Sequence, residues 1–162
     1  MRVAEEAEFR EYVAARMERW RRTAFLYCRD WHMADDLVGT TLEKLYHSWQ
    51  RAQRAGNLDA YVYGILSHAW LDERRRPWRR EQAVPDVPDR VFPAPSGDDA
   101  DVLRLLASLP AGRRACLVLR FYCDLSVEQT AEILGISPGT VKSQTARGLD
   151  MLRGPAIELT QE

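Results

Sequence analysis

No apolar run in this chain approaches the roughly 20 consecutive residues that a bilayer core demands, so the sequence predicts no membrane insertion. The amino-terminal stretch MRVAEEAEF has no apolar centre of the kind a secretory leader needs, and the expected location is the cytoplasm. Cysteine is scarce as well. Cys28, Cys116 and Cys123 sit in or beside apolar segments without forming a close pair, which fits small core residues in a reducing compartment rather than a disulfide framework. Alternating strand-like patterns of useful length are missing, which leaves an all-α fold. A glycine-rich phosphate loop, a nucleophile elbow and a convincing acid pair are missing too, so no enzyme activity, cofactor or metal is expected.

A charge excess is also lacking: 23 Lys and Arg against 24 Asp and Glu leave a formal charge of −1 over 162 residues. The balance conceals segregation. Trp70 to Arg80 holds Arg74, Arg75, Arg76, Arg79 and Arg80 against Asp72 and Glu73, whereas Glu81 to Asp101 holds Glu81, Asp86, Asp89, Asp98, Asp99 and Asp101 against Arg90. An acidic segment therefore hides a basic one in the total. The acidic segment also carries Pro85, Pro88, Pro93 and Pro95 with Ser96 and Gly97, a composition in which neither helix nor central strand persists. Residues 81–99 are expected to form a flexible acidic, Pro-rich linker between two small helical domains, 1–80 and 100–162. Both are near the lower size limit for independent folding.

Helical periodicity fills the first domain. Phe9, Tyr12, Val13, Met17 and Trp20, continuing through Ala24 and Tyr27, form one apolar stripe, and Leu37, Val38, Leu42, Leu45 and Trp49 form a second. A third helix is expected from about Asp59 to Arg76, with Tyr61, Val62, Ile65, Leu66, Ala69 and Trp70 on its apolar side and arginines at its end, where cations suit the helix dipole. After the linker, Val102, Leu105, Leu106 and Leu109 predict a short helix closed by Pro110. A further helix over Arg113 to Tyr122 is expected to bury Leu117, Val118 and Phe121.

The stretch SVEQTAEILGISPGTVKSQTARGLDML, residues 126–152, reads as two helices meeting at a glycine turn. Ser126 caps a helix from Val127 to Leu134, Gly135 supplies the left-handed residue that ends it, Ser137 caps the next helix and Pro138 suits its first position. Val141, Thr145, Leu149 and Leu152 then face inward, while Lys142, Ser143, Ala146 and Arg147 face outward. Small residues flanked by cations are what entry into a DNA major groove demands, because the backbone must come close to base edges and the phosphate charge must be neutralised.

Three ordered blocks carry a family resemblance. ADDLVGTTLEKLYHSW (34–49), AYVYGILSHAWLDERRR (60–76) and LPAGRRACLVLRFYCDLS (109–126), the last leading into the helix-turn-helix, resemble the bacterial sigma factors of the extracytoplasmic-function group, group IV of the sigma-70 family. These retain only the second and fourth conserved regions. The resemblance implies an alternative sigma factor that binds RNA polymerase core and directs promoter-specific initiation, with promoter DNA, the clamp coiled coil and flap of the core, and an anti-sigma protein as partners. It implies polymerase contacts at Asp35, Asp36, Leu37, Glu43 and Trp49, although the spacing of Trp49 also fits the inner stripe. Minus-thirty-five contacts fall to Ser137, Thr140, Lys142, Ser143 and Arg147. Minus-ten contacts fall to Arg51, Arg54, Asn57, Tyr61, His68, Arg74, Arg75, Arg76 and Arg79.

Base capture at the minus-ten element needs a polar or aromatic pocket with positive charge along the backbone. The expected loop Gln50 to Asn57 supplies hydrogen-bonding groups, Tyr61 and Tyr63 supply rings, and the arginines to Arg80, with Trp78 among them, supply charge. Gly39, His68 and Gln129 depart from the family's usual glutamine, asparagine and glutamate. Two other readings of the residues remain open: a conventional helix-turn-helix regulator that never binds core, and a metal- or redox-sensing DNA-binding protein built on Cys28, His32, His47 and His68. The arginine-rich third helix and its polar loop favour the sigma factor, since a reader of duplex DNA has no use for a melting device.

Overall fold

The computed structural model describes residues 2–75 and 104–160, which are helical with short connections and contain no strand. The chain divides into two compact units, Met1–Glu81 and Gln82–Glu162. The expected linker, together with Arg76, Trp78, Arg79 and Arg80, lies outside the described residues.

In the first unit, α1 spans Val3–Cys28, α2 Trp31–His47, α3 Trp49–Arg54 and α4 Leu58–Arg75. Arg29 adopts a left-handed conformation (φ 63°) and donates its N–H to the Phe25 carbonyl, which ends α1. The Asp30 side chain then accepts hydrogen bonds from the His32 and Met33 amides at 2.8 and 3.3 Å and starts α2. The two long stripes meet α4 over a core of Trp20, Ala24, Tyr27, Leu37, Val38, Leu45, Trp49, Val62, Leu66 and Trp70. Each large apolar side chain buried this way contributes about 1.5–3 kcal/mol. Tyr27 stacks on Trp70 with ring centroids 4.5 Å apart, and its hydroxyl reaches Ser67 Oγ at 2.8 Å, so this buried phenol has a partner.

The expected loop Gln50 to Asn57 is largely helix. Trp49, Gln50, Arg51, Ala52, Gln53 and Arg54 are mostly competent helix formers, and only Ala55, Gly56 and Asn57 remain as a turn. The break between α2 and α3 falls at Ser48, whose Oγ donates to the Lys44 carbonyl at 2.8 Å. At the start of α4 the cap is Asn57, which accepts from the Ala60 amide at 3.0 Å; Asp59 points elsewhere.

The second unit holds a helical segment over 104–108, then α5 (Ala111–Leu117), a π-helical turn (Val118–Tyr122), α6 (Val127–Leu134) and α7 (Pro138–Thr160). The π turn corrects the expectation for Phe121. A continuous α-helix would place Leu117, Val118 and Phe121 on one face, but the wider turn closes with the Cys123 amide on the Val118 carbonyl (2.9 Å) and rotates Phe121 outward to 60% exposure. Leu119, Cys123 and Leu125 take the buried positions instead. Asp124 follows with φ 58° and redirects the chain into α6. α5 and α7 pack closely at Gly148, where a Cβ would come within 2.9 Å of Leu117 Cδ1.

Candidate nucleic-acid and polymerase interfaces

The helix-turn-helix is built locally. At the start of α6, Ser126 Oγ accepts from the Gln129 amide at 3.0 Å while Gln129 Oε1 accepts from the Ser126 amide at 2.9 Å, a reciprocal capping box. Glutamine at 129 therefore serves as an acceptor just as glutamate would. Gly135 at φ 67° ends α6, and the Ile136 amide returns to the Ala131 carbonyl. Ser137 Oγ accepts from the Thr140 amide at 3.0 Å and starts α7. Val141 is fully buried against Cys116 and Ala131, so the next residues must face out. Ser137, Lys142, Ser143 and Arg147 are exposed and Thr140 is half-buried. No acid occupies the first turn of α7, which leaves its positive dipole end open to a phosphate. The hydroxyls of Ser137, Thr140 and Ser143 are engaged in the helix start, with Ser137 Oγ 2.8 Å from Thr140 Oγ1 and Ser143 Oγ donating to the Thr140 carbonyl. Lys142 and Arg147 carry the charge of this face.

In the first unit, the junction of α2 and α3 forms an open cleft of about 620 Å³, with Arg51, Arg54, Gln50 and His47 on its walls and Glu5 of α1 facing them. Arg51 and Arg54, expected as capture residues, are brought together here. Asn57 and Tyr61 are not part of its walls; they follow on the turn and on α4. Tyr63 is a correction: it is 5% exposed, and its hydroxyl accepts from Arg19 Nε at 3.0 Å, so it offers no ring for stacking. His68, Arg74 and Arg75 are exposed along α4, and the Arg74 guanidinium lies 5.1 Å from the Trp70 ring.

The outer face of α2 presents Asp35, Asp36, Gly39, Thr40 and Glu43. Leu37 and Trp49 are corrected from surface contacts to core residues, 4% and 2% exposed, because both lie on the stripe that α2 and α3 turn toward α1 and α4. Asp35 accepts from Arg21 Nε at 2.7 Å, a hydrogen bond that raises the guanidinium pKa further. Gly39 is open, with nothing within 4 Å of an added Cβ, so packing does not require glycine there.

In the sensor reading's set, Cys28 donates to the Asp30 carbonyl at 3.3 Å; Cys116, outside that set, is buried, which pushes its thiol pKa up and keeps it protonated. Among the described residues no group of three or more His, Cys, Asp or Glu side chains has metal-binding geometry. Sequence reading missed Glu5, the place of His47 on the cleft wall and the contacts of Asp59. Their partners lie more than 40 positions away in the chain or across a helix break, and no local pattern announces them.

Known proteins resemble the chain along nearly its whole length. Residues 13–80 match sigma-70 region 2 and residues 99–152 match sigma-70 region 4. The RNA polymerase sigma-E factor of Streptomyces coelicolor is 33% identical over 162 aligned residues, covering 93% of this chain and 87% of that protein. RNA polymerase sigma factor SigV of Bacillus subtilis is 29% identical, covering 87% and 84%. Among solved structures, the sigma factor RpoE of Bartonella quintana, in complex with the anti-sigma factor NepR, aligns with a TM-score of 0.78 at 26% identity over 91% of this chain and 95% of that one.

Proposed function

Because this chain belongs to the sigma-70 family, as an RNA polymerase sigma factor of the extracytoplasmic-function group, we propose that its two units read the two halves of a promoter while RNA polymerase core holds them apart. It is an alternative sigma factor that directs transcription initiation. The observation that carries the division of labour is the contrast between the units: one exposes the recognition helix of a helix-turn-helix, the other an arginine-walled cleft beside a helix ending in arginines.

In this reading residues 1–80 bind core and engage the minus-ten element, 81–99 connect, and 100–162 read the minus-thirty-five element. Lys142 and Arg147 of α7 enter the major groove with Ser137, Thr140 and Ser143 at its mouth. Arg51 and Arg54 hold an extruded base and its phosphate at the cleft, Asn57 and Tyr61 border its approach, and His68, Arg74, Arg75, Arg76 and Arg79 track the opened strand. Asp35, Asp36 and Glu43 form the acidic face that docks on the clamp, with Leu37 and Trp49 setting that face from within. Catalysis stays with the polymerase, and the protein works in the cytoplasm. Among the described residues no helix is long and apolar enough to cross a membrane. An anti-sigma protein covering these faces keeps it inactive, as the complex of the Bartonella relative suggests for its partner.

Run-off transcription on fragmented host DNA, with purified core and with or without this protein, tests the reading. New starts preceded by two motifs at fixed spacing support it; failure to bind core removes it and leaves a conventional DNA-binding regulator.

A further inference from the structure

Asp59 opens α4 but does not cap it; its carboxylate is turned toward α1. One oxygen, Oδ1, accepts both the Tyr12 hydroxyl at 2.6 Å and Arg16 Nε at 2.7 Å. These donors sit one turn apart on α1, and the Arg16 guanidinium lies 4.0 Å from the Tyr12 ring centroid. The other side of the Tyr12 ring environment is aromatic, with Trp20 at 5.7 Å and Trp49 at 5.5 Å between centroids. Trp49 is the first residue of α3 and lies beside Arg51 and Arg54 at the cleft. A single side chain of α1 thus touches the start of α3 and the start of α4.

The segment between these two helices has little to hold itself. α3 has six residues, too few for an isolated helix to be stable, and the turn that follows contains Gly56, around which an added Cβ would meet nothing within 4 Å. α3 itself is anchored by the buried Ala52 and by Gln53, which donates to Glu8 of α1 at 3.0 Å, so it is the turn after Arg54 whose position depends on what holds the start of α4. The Arg16 and Asp59 side chains are 37% and 50% exposed, so solvent screens the pair and limits its part in overall stability. Burial pushes the Tyr12 phenol well above its ordinary pKa, with the Asp59 hydrogen bond acting in the same direction, so the donor keeps its proton throughout the working pH range.

We propose that Tyr12 and Arg16 are positioning residues for strand capture: by holding Asp59, and through the Tyr12 ring Trp49, they fix the turn between α3 and α4 and the arginines beside it, without touching DNA themselves. This rests on the reading of the cleft as the site of the extruded base. Tyr12→Phe is the discriminating variant, since it deletes the hydroxyl donor and keeps the ring against Trp20 and Trp49.

The experiment uses holoenzyme assembled from core and the full chain, titrated with four single-stranded minus-ten oligonucleotides that differ in the captured base. For Tyr12→Phe, binding of the preferred oligonucleotide should fall about tenfold, the equivalent of about 1.4 kcal/mol, while the other three change little, so that base preference narrows. Arg16→Met should do the same, and Arg16→Lys, which keeps a cationic donor, should recover part of the preference. Core affinity and binding to upstream duplex should match the parent. Parental base preference in Tyr12→Phe overturns the inference, as does an equal loss for all four oligonucleotides, which is the mark of a role in stability alone. If the parent itself shows no preference among the four, the cleft is not the capture site and the functional reading of it falls as well.

Discussion

Replacing Ser126 with alanine isolates the contribution of the capping box to the helix-turn-helix. The box has two bonds, Gln129 N–H to Ser126 Oγ at 3.0 Å and Ser126 N–H to Gln129 Oε1 at 2.9 Å, both half-buried, and α6 has only eight residues over which to spread a loss. Removing an N-cap hydroxyl costs about 1 kcal/mol. Because RT is about 0.6 kcal/mol, amide exchange in the first turn of α6 should quicken about fivefold where exchange follows local opening, and the second unit should melt about 4–8 °C lower. Gln129→Glu keeps the acceptor and adds a charge at the positive end of the helix, worth about 0.3–1 kcal/mol, so exchange there should slow. Hydrogen exchange read by NMR at Gln129 and Thr130, with calorimetry on the same samples, distinguishes these outcomes. Unchanged protection in Ser126→Ala, or faster exchange in Gln129→Glu, would refute the reciprocal cap.

Gly39→Ala should stabilise the first unit by about 1 kcal/mol, since the site is open and mid-helix glycine carries that penalty; a calorimetric melting point at or below the parent's contradicts it. Gly148→Val should destabilise the second unit by about 1–3 kcal/mol, because even a Cβ would lie 2.9 Å from Cδ1 and 3.2 Å from Cγ of Leu117, which is buried at 4% exposure; denaturant unfolding of that unit is the check. Lys142→Ala and Arg147→Ala should each weaken promoter binding. Where the lost contact is to phosphate, the slope of log affinity against log salt should fall by about 1; where it is to a base, sequence preference should relax instead.

The recognition half was legible because its signals are local. Ser126, Gly135, Ser137 and Pro138 act within four residues of themselves through backbone geometry, and α6 begins and ends where they place it, at Val127 and Leu134. Charge segregation and the arginines ending α4 were visible for the same reason. The capture half was less legible. The helical character of Trp49 to Arg54 was masked by polar composition that also suits a loop, and the exposure of Phe121 depends on a π turn that periodicity counted at 3.6 residues cannot register.

The sequence by itself determined an all-α fold and a capped helix-turn-helix, since helix periodicity, caps and a left-handed glycine are properties of short stretches. Only the tertiary structure decided that Tyr63 is interior and accepts from Arg19, that Asp59 answers to Tyr12 and Arg16, and that Glu5 faces the arginines of a cleft. Those outcomes follow from which helix faces meet, and the groups that meet are separated by about 40 residues or more of chain.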